Sequence, residues 1–320
     1  MSEKVALIIL DGFWLNTKTP EENAILNAHT PTFDDLFSKT FWRLEASWRA
    51  VWLPDGQMWN SEVWHTTLGT WRIIKQSLVE ISDLFDDWEF EKLESFEAWI
   101  GHVRENNSAL HLMWLFGPWG VHSINTHMES MIKIIPSDVQ TYIHLFLDWR
   151  DVPPQSALGF MKEFEEFLKA YSNVKIATIG WRYFGMDRDN NWDRVQKAYD
   201  EIVFQQTQTS DTPSEYIQKR YEAGESDEFV TPVSFLWTEW IEDWDSVFYL
   251  NFRADRARQM TQALQVSKDE KKVELYDKWN SAFITKKMPN LYFLLRNHRI
   301  FRIINIWIKV NPVILITICY

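Results

Sequence analysis

Cysteine, glycine and long apolar runs are all scarce in this chain of 320 residues. The single cysteine, Cys319, excludes an internal disulfide and a cysteine-based zinc site. The apolar run near the N-terminus covers only residues 5–10, which is too short for a signal-peptide core or a membrane span. We therefore expect a cytoplasmic protein without a membrane partner.

Positive charge is also in deficit. The chain has 33 Lys and Arg residues against 45 Asp and Glu residues, which gives a net charge of −12. A general nucleic-acid binder needs a basic face for its phosphate contacts, so we expect no nucleic-acid partner. The 46% of hydrophobic and 24% of charged residues are typical of a globular protein, and the length predicts about two domains.

Short apolar runs alternate with longer amphipathic segments along the chain. The runs predict buried strands, and the amphipathic segments between them predict helices. This alternation favours an α/β fold with a largely parallel sheet. The predicted strands are 5–10, 109–116, 142–147, 174–179 and 247–252, and the clearest helices are 90–104, 157–170 and 192–204.

Polar side chains follow every predicted strand, at the edge where open α/β sheets bind their ligands. Five arginines in this position favour a small anionic ligand, because guanidinium groups match the geometry of carboxylates and phosphates. For any single arginine, a surface ion pair is the simpler interpretation. In chain order the polar residues are Asp11, then His122, then Asp148, Arg150 and Asp151, then Arg182 and Arg188, then Arg253 and Arg256.

Four of the candidate residues each allow two interpretations. Asp11, after a buried strand, is a candidate ligand for a divalent cation or an ordinary turn residue. Ser61, where a loop leads into a predicted helix, is a candidate nucleophile or a helix cap. His122 is catalytic or structural. Asp151 is a candidate for transferring protons to and from a substrate hydroxyl, or it forms a salt bridge or a helix cap.

Several stretches taken together resemble the cofactor-independent phosphoglycerate mutase family, within the alkaline phosphatase superfamily, over roughly residues 4–265. The resemblance implies an isomerase of glycolysis and gluconeogenesis that interconverts 3-phosphoglycerate and 2-phosphoglycerate through a phosphoserine. It also implies two Mn²⁺ or similar divalent ions and no need for 2,3-bisphosphoglycerate. The stretches are VALIILDG, LEAS, LPDGQM, NSEV, GVHS, SALG, RYFGMDRDNNWDRV, DEFV and NFRADRAR.

The same resemblance assigns roles to residues and domains. Asp11 and Ser61 become metal ligands, Ser61 becomes the nucleophile, and Asp151 becomes the proton carrier. We expect a monomer with an alkaline-phosphatase-like split domain and an inserted α/β transferase domain. The expected boundaries are 1–74 for the first part of the split domain, 75–287 for the inserted substrate-binding domain and 288–320 for a return to the split domain. The implied substrate-binding residues are His122, Arg150, Asp151, Arg182, Arg188, Arg253 and Arg256.

The chain departs from the family after Phe293. Family members continue for well over a hundred further residues, which carry most of their metal ligands. We therefore expect the split domain to be incomplete and the 320-residue chain to lack mutase activity. A non-catalytic anion-binding fragment is one alternative. Another alternative is a different phosphomutase or phosphatase of the superfamily. Three features argue against it, because in the resemblance they belong to the glycerate-binding domain: His122, the pair Arg150 and Asp151, and NFRADRAR.

Tryptophan is abundant where the family has glycine. The chain has 19 Trp and only 10 Gly residues, so glycine makes up about 3% instead of the usual 7% or so. Our hypothesis is that UGA codons, which encode glycine in the source genome, were translated as tryptophan. The alternative is a genuinely Trp-rich paralogue. The suspect positions are Trp14, Trp42, Trp48, Trp52, Trp59, Trp64, Trp71, Trp88, Trp114, Trp119, Trp149, Trp181, Trp240 and Trp244.

Overall fold

The computed structural model describes residues 19–39, 69–70, 72, 76–242, 244–265, 290–295 and 299–302. The chain divides into two compact units, one of which takes in residues 81–307. This unit holds all the strands that the structure describes. The described helices are α1 Pro31–Lys39, α2 Ser77–Asp86, α3 Glu94–Asn106, α4 Asn125–Ile134, α5 Ala157–Leu168, α6 Arg182–Gly185, α7 Trp192–Phe204, α8 Pro213–Glu222 and α9 Arg258–Gln265.

The strands form one sheet in the order β4-β5-β3-β2-β1-β6-β7-β8. Strands β3, β2, β1 and β6 lie side by side and run parallel, whereas β5 is antiparallel to β3 and β8 is antiparallel to β7. The prediction of an α/β fold with a largely parallel sheet is therefore confirmed. The strands are β1 Leu110–Phe116, β2 Thr141–Leu147, β3 Val174–Trp181, β4 Gln208–Thr209, β5 Val233–Phe235, β6 Ser246–Tyr249, β7 Asn290–Leu295 and β8 Arg299–Arg302.

Burial explains why the central strands and their covering helices form where they do. Every residue of β1 and β2 is buried, as expected for strands covered by helices on both faces. Helix α7 buries Trp192, Val195, Tyr199 and Ile202, whose three- and four-residue spacing places them on one face of the helix. That face belongs to a core cluster with Phe146 of the sheet.

Two predicted boundaries were wrong by three or four residues. The strand predicted at 247–252 ends at Tyr249, because the Asn251 side chain replaces the strand ladder and accepts a hydrogen bond from the Leu115 N–H at 3.1 Å. The helix predicted from residue 90 begins at Glu94, since residues 87–93 form turns. The strand predicted at 5–10 lies outside the described residues. None of the described helices is long and apolar enough to cross a membrane.

The N-terminus of α5 is capped by a carboxylate that is distant in sequence. The fully buried Asp227 accepts hydrogen bonds from the N–H groups of Ser156 and Ala157, at 3.0 and 3.2 Å, and from the Tyr221 hydroxyl. The helix thereby satisfies N–H groups that have no partner within the helix.

Replacing Asp227 with alanine should therefore lower the free energy of unfolding by about 2–3 kcal/mol, because it leaves several buried donors without an acceptor. Urea denaturation of the full chain measures this change. Asp138→Ala is the matched control, since Asp138 forms only an exposed ion pair with Arg104, and its denaturation midpoint should stay where it is. Equal midpoints for the Asp227→Ala variant and the parent would contradict the capping role.

Two of the suspect tryptophans have a backbone that favours glycine. Trp88 has φ 56° and Trp244 has φ 78°, both in the left-handed region. At Trp114, Trp119 and Trp181, by contrast, φ is not positive. Trp114 and Trp181 instead bury an indole N–H that has no hydrogen-bond partner within the described part of the chain. The backbone therefore supports the glycine hypothesis at Trp88 and Trp244.

Candidate functional site

The carboxyl ends of β1, β2, β3 and β6 lie next to one another, because these four strands are parallel neighbours in the sheet. The chain after β2, β3 and β6 carries charged side chains, and the loop after β1 carries His122. In an open α/β sheet this edge is where ligands bind. The seven residues predicted to bind the substrate all lie on these four loops.

Arg182 is the buried cation of the site. It begins α6 directly after β3 and has 4% of its surface exposed. Its Nη1 donates to Asp148 Oδ1 at 2.8 Å and to Asp151 Oδ2 at 2.7 Å. Burial disfavours the charged guanidinium, but the charges of Asp148 and Asp151 outweigh this effect and raise the pKa of Arg182. Arg182 therefore stays charged, and it fixes the Asp151 carboxylate.

Asp148 shapes the loop after β2. Its Oδ1 accepts hydrogen bonds from the backbone N–H groups of Arg150 and Asp151, at 3.0 and 3.3 Å. An aspartate that binds the backbone two and three residues ahead forms a tight turn at this point. The turn directs the chain so that Arg150 and Asp151 follow the strand end immediately.

A third carboxylate, Asp255, lies between two arginines and His122, which come from the segments after three different strands. Its Oδ2 is 3.0 Å from Arg188 Nη1, and its Oδ1 is 3.3 Å from Arg253 Nε and 3.5 Å from His122 Nδ1. Burial by itself would raise the pKa of Asp255, but the positive charge around it, chiefly that of Arg253, keeps this pKa below its ordinary value. Asp255 is therefore ionised at neutral pH.

His122 is buried and neutral. Burial lowers the pKa of this imidazole, the positive charges of Arg182 and Arg253 lower it further, and Asp255 offsets part of the effect. The His122 carbonyl accepts a hydrogen bond from the Phe252 N–H at 2.9 Å, which joins the loop after β1 to the loop after β6. The ring is thus held within the basic cluster in a form that can both donate and accept one hydrogen bond.

Arg256 joins the loop after β6 to the chain segment after β3. Its Nη1 donates to the Met186 carbonyl at 3.1 Å. Burial, followed by the charges of Arg182, Arg188 and Arg150, lowers the pKa of Arg256 to about 10. Like charges shift a pKa in this way only when they are close, so the arginines that follow β2, β3 and β6 form a single region of positive potential.

Comparisons with known proteins show the family to which the chain belongs. The family model described as "BPG-independent PGAM N-terminus (iPGM_N)" matches residues 81–290. The chain belongs to this family. It is 42% identical to 2,3-bisphosphoglycerate-independent phosphoglycerate mutase 1 of Methanosarcina acetivorans, over 90% of the chain and 55% of the relative. It is 39% identical to the enzyme of Clostridium acetobutylicum, over 81% of the chain and 52% of the relative.

A solved structure is similar as well. The chain matches a crystal structure of Leishmania mexicana phosphoglycerate mutase, determined at low cobalt concentration, with a TM-score of 0.74 and 27% identity. The match covers 90% of this chain and 53% of the other. The chain thus spans about half the length of the phosphoglycerate mutases that it matches.

The structure brings seven of the nine predicted site residues together, namely His122, Arg150, Asp151, Arg182, Arg188, Arg253 and Arg256. The other two, Asp11 and Ser61, lie outside the described residues. Within residues 76–242, 244–265 and the other described ranges, no group of three or more His, Cys, Asp or Glu side chains is placed to hold a metal ion. The described site residues are thus five arginines, a histidine and their carboxylate partners.

Sequence reasoning gave no role to the two carboxylates that organise the site. The sequence predicts Asp148 only as a polar residue at a strand end, and it predicts no role for Asp255 within NFRADRAR. A usable signal was present, since each aspartate lies one or two residues from predicted substrate-binding arginines. Buried cations need counter-ions, so a cluster of five arginines itself predicts carboxylates nearby.

Proposed function

We propose that the chain supplies the substrate-binding part of a 2,3-bisphosphoglycerate-independent phosphoglycerate mutase, which interconverts 3-phosphoglycerate and 2-phosphoglycerate. The observation that carries the proposal is the convergence of five arginines and a neutral histidine at one sheet edge, in a chain of this family. The proposed protein is a cytoplasmic monomer that acts on a small molecule and has neither a nucleic-acid nor a membrane partner.

The charge of the cluster suits this substrate. Five guanidinium groups face the three carboxylates of Asp148, Asp151 and Asp255, so two positive charges remain when His122 is neutral. A phosphoglycerate brings one carboxylate and a phosphate that carries about −1.5 to −2 charges near neutral pH. Arginine binds both groups through paired hydrogen bonds, so separate guanidinium groups can hold the two ends of the substrate.

The chain's own residues position the substrate and move a proton. The guanidinium of Arg182 fixes the Asp151 carboxylate, which accepts the proton of the substrate hydroxyl as that hydroxyl receives the phosphoryl group. His122, neutral and buried, donates a hydrogen bond to the substrate. Phosphoryl transfer depends mainly on this kind of positioning and on charge stabilisation.

The covalent step uses Ser61 in the proposal. The Ser61 oxygen takes the phosphoryl group from one substrate oxygen, and the proton that Ser61 gives up passes to the oxygen that leaves. The second substrate hydroxyl then takes the phosphoryl group back, and its proton passes through Asp151 to the Ser61 oxygen. Asp11 and Ser61 would contribute to the binding of two Mn²⁺ or similar divalent ions, and no 2,3-bisphosphoglycerate is needed. An alkaline-phosphatase-like split domain around an inserted domain at 75–287 is part of the same proposal.

Calorimetric titration of the full chain with 3-phosphoglycerate tests the binding role. We expect Arg256→Gln to weaken binding about 10- to 100-fold, because hydrogen bonds between charged groups contribute about 1.5–3 kcal/mol each. Arg104→Gln is the control. Arg104 lies on α3 and forms an exposed ion pair with Asp138, so this variant should bind 3-phosphoglycerate like the parent. A parent chain that binds 3-phosphoglycerate no more tightly than inorganic phosphate would overturn the proposal.

A further inference from the structure

The loop after β6 contains a carboxylate that lies close to one arginine of its own loop, to another arginine after β3 and to the neutral His122 after β1. Asp255 Oδ2 accepts a hydrogen bond from Arg188 Nη1 at 3.0 Å, and its Oδ1 lies 3.3 Å from Arg253 Nε and 3.5 Å from Nδ1 of the neutral His122. We propose that Asp255 is a positioning residue, which holds these three side chains in the arrangement that receives the anionic substrate. This inference rests on the proposed function.

Arg188 shows why a holding group is needed. Its side chain is 45% exposed, and the turn that carries it is shaped by Asp187, which accepts hydrogen bonds from the N–H groups of Asp189 and Asn191. Those bonds fix the backbone but not the guanidinium. A long exposed side chain loses rotamer freedom when it binds a ligand, so fixing it beforehand improves affinity.

The two carboxylate clusters of the site differ in charge balance. Arg182 is matched by two carboxylates, Asp148 and Asp151, so this cluster carries no excess positive charge. Asp255, in contrast, serves two arginines and a neutral histidine. The Asp255 cluster therefore keeps an excess positive charge that attracts an anion while its members are held in place.

The effect of Asp255→Asn on binding separates positioning from simple electrostatics. If Asp255 only competed with the ligand as a counter-ion, its neutralisation would leave the site more positive and every anion would bind more tightly. If Asp255 positions the cations, 3-phosphoglycerate should lose affinity even though the site has gained positive charge. Inorganic phosphate, which needs no particular spacing of the arginines, should bind as well as before or better.

The experiment is calorimetric titration of the full 320-residue chain with 3-phosphoglycerate and with inorganic phosphate. We expect Asp255→Asn to weaken 3-phosphoglycerate binding at least tenfold without weakening phosphate binding, and Asp255→Glu to restore part of the loss. Asp138→Asn, which removes an exposed carboxylate from its pair with Arg104, should match the parent for both ligands. Should the asparagine variant fail to fold, Asp255→Ser takes its place.

The outcomes separate this inference from the function on which it rests. Unchanged or tighter binding of 3-phosphoglycerate by Asp255→Asn, with a parent that binds it, overturns the positioning role and leaves the proposed function intact. Parallel losses for both ligands also overturn it, because they indicate general damage to the site. A parent that does not bind 3-phosphoglycerate overturns both proposals.

Discussion

Lowering the pH from 7 to 5 should remove about 6 kcal/mol from the free energy of unfolding, because three histidines are buried in the neutral form. Burial lowers the pKa of His127 to about 3 and holds that of His144 well below its ordinary value. Burial and neighbouring arginines lower that of His122. Below pH 6.5 the unfolded chain binds protons that the folded chain does not, so stability falls progressively toward the folded pKa.

The size of the effect follows from the pKa difference. A pH of 5 lies about 1.5 units below the pKa of a histidine in the unfolded chain. Protonation of each of the three histidines in the unfolded chain therefore lowers the free energy of unfolding by about 2 kcal/mol. The total approaches the whole stability of an ordinary domain, about 5–15 kcal/mol, so the fold should become marginal near pH 5. Urea denaturation at several pH values between 5 and 7.5 measures this slope.

Single variants assign the slope to particular histidines. His127→Gln can keep the 2.8 Å hydrogen bond to Ser82 but cannot bind a proton, so it should remove about one third of the pH dependence. His102→Gln is the control, because it removes a histidine that is only partly buried. A free energy of unfolding that does not change between pH 7 and pH 5 would show that the three imidazoles are not held neutral.

The central strands could be predicted from the sequence because their apolar runs are continuous, whereas the edge of the sheet could not. Strand β5, Val233–Phe235, has only three residues, and β4 has two, so neither shows a hydrophobic period. The antiparallel pairing of β5 with β3 depends on where the chain returns, which no local pattern encodes.

The start of α3 was missed for a related reason. Phe90 is buried and continues the apolar spacing of the helix, yet it lies in a turn where its N–H bonds to the Leu84 carbonyl. Its ring stacks on Phe85, with 4.4 Å between the ring centroids. The buried Phe90 therefore extends the apolar pattern of the helix beyond its actual start, which is set by the backbone hydrogen bonds.

The basic side of the site could be predicted because parallel strand ends meet at one edge. The carboxylate side could not, because in sequence Asp148 and Asp255 look like ordinary charged loop residues. Only the distances show that Arg182 pairs with two carboxylates, whereas Asp255 pairs with two arginines. Pairing of this kind depends on how side chains from three loops are placed in space. It cannot be predicted from the order of residues along the chain.

Replacing Trp88 and Trp244 with glycine should stabilise the chain, which is the reverse of the usual effect of removing a tryptophan. Both residues have positive φ, and their side chains are 62% and 59% exposed, so the change relieves backbone strain and uncovers little core. A non-glycine residue in the left-handed region costs about 1–3 kcal/mol, so the double variant should gain about 2 kcal/mol or more.

Trp99 provides the opposite case. It is buried in α3 with 1% of its surface exposed, and its ring packs against Phe96 and Phe248. Trp99→Gly should lose about 3–5 kcal/mol from the cavity and about 1 kcal/mol more from glycine in a helix. Urea denaturation of the parent, the Trp88/Trp244 double variant and Trp99→Gly compares the two effects directly.

The contrast bears on the glycine hypothesis because Trp99 is not among the suspect positions. If glycine is the natural residue at Trp88 and Trp244, the double variant gains stability, and the intact mass of the protein from its source falls below that of the printed sequence by one Trp-to-Gly difference for each recoded position. A double variant that loses stability, together with an unshifted mass, would establish these tryptophans as genuine. The positive φ at both positions would then be strain that the fold tolerates, with its cost offset by packing elsewhere in the chain.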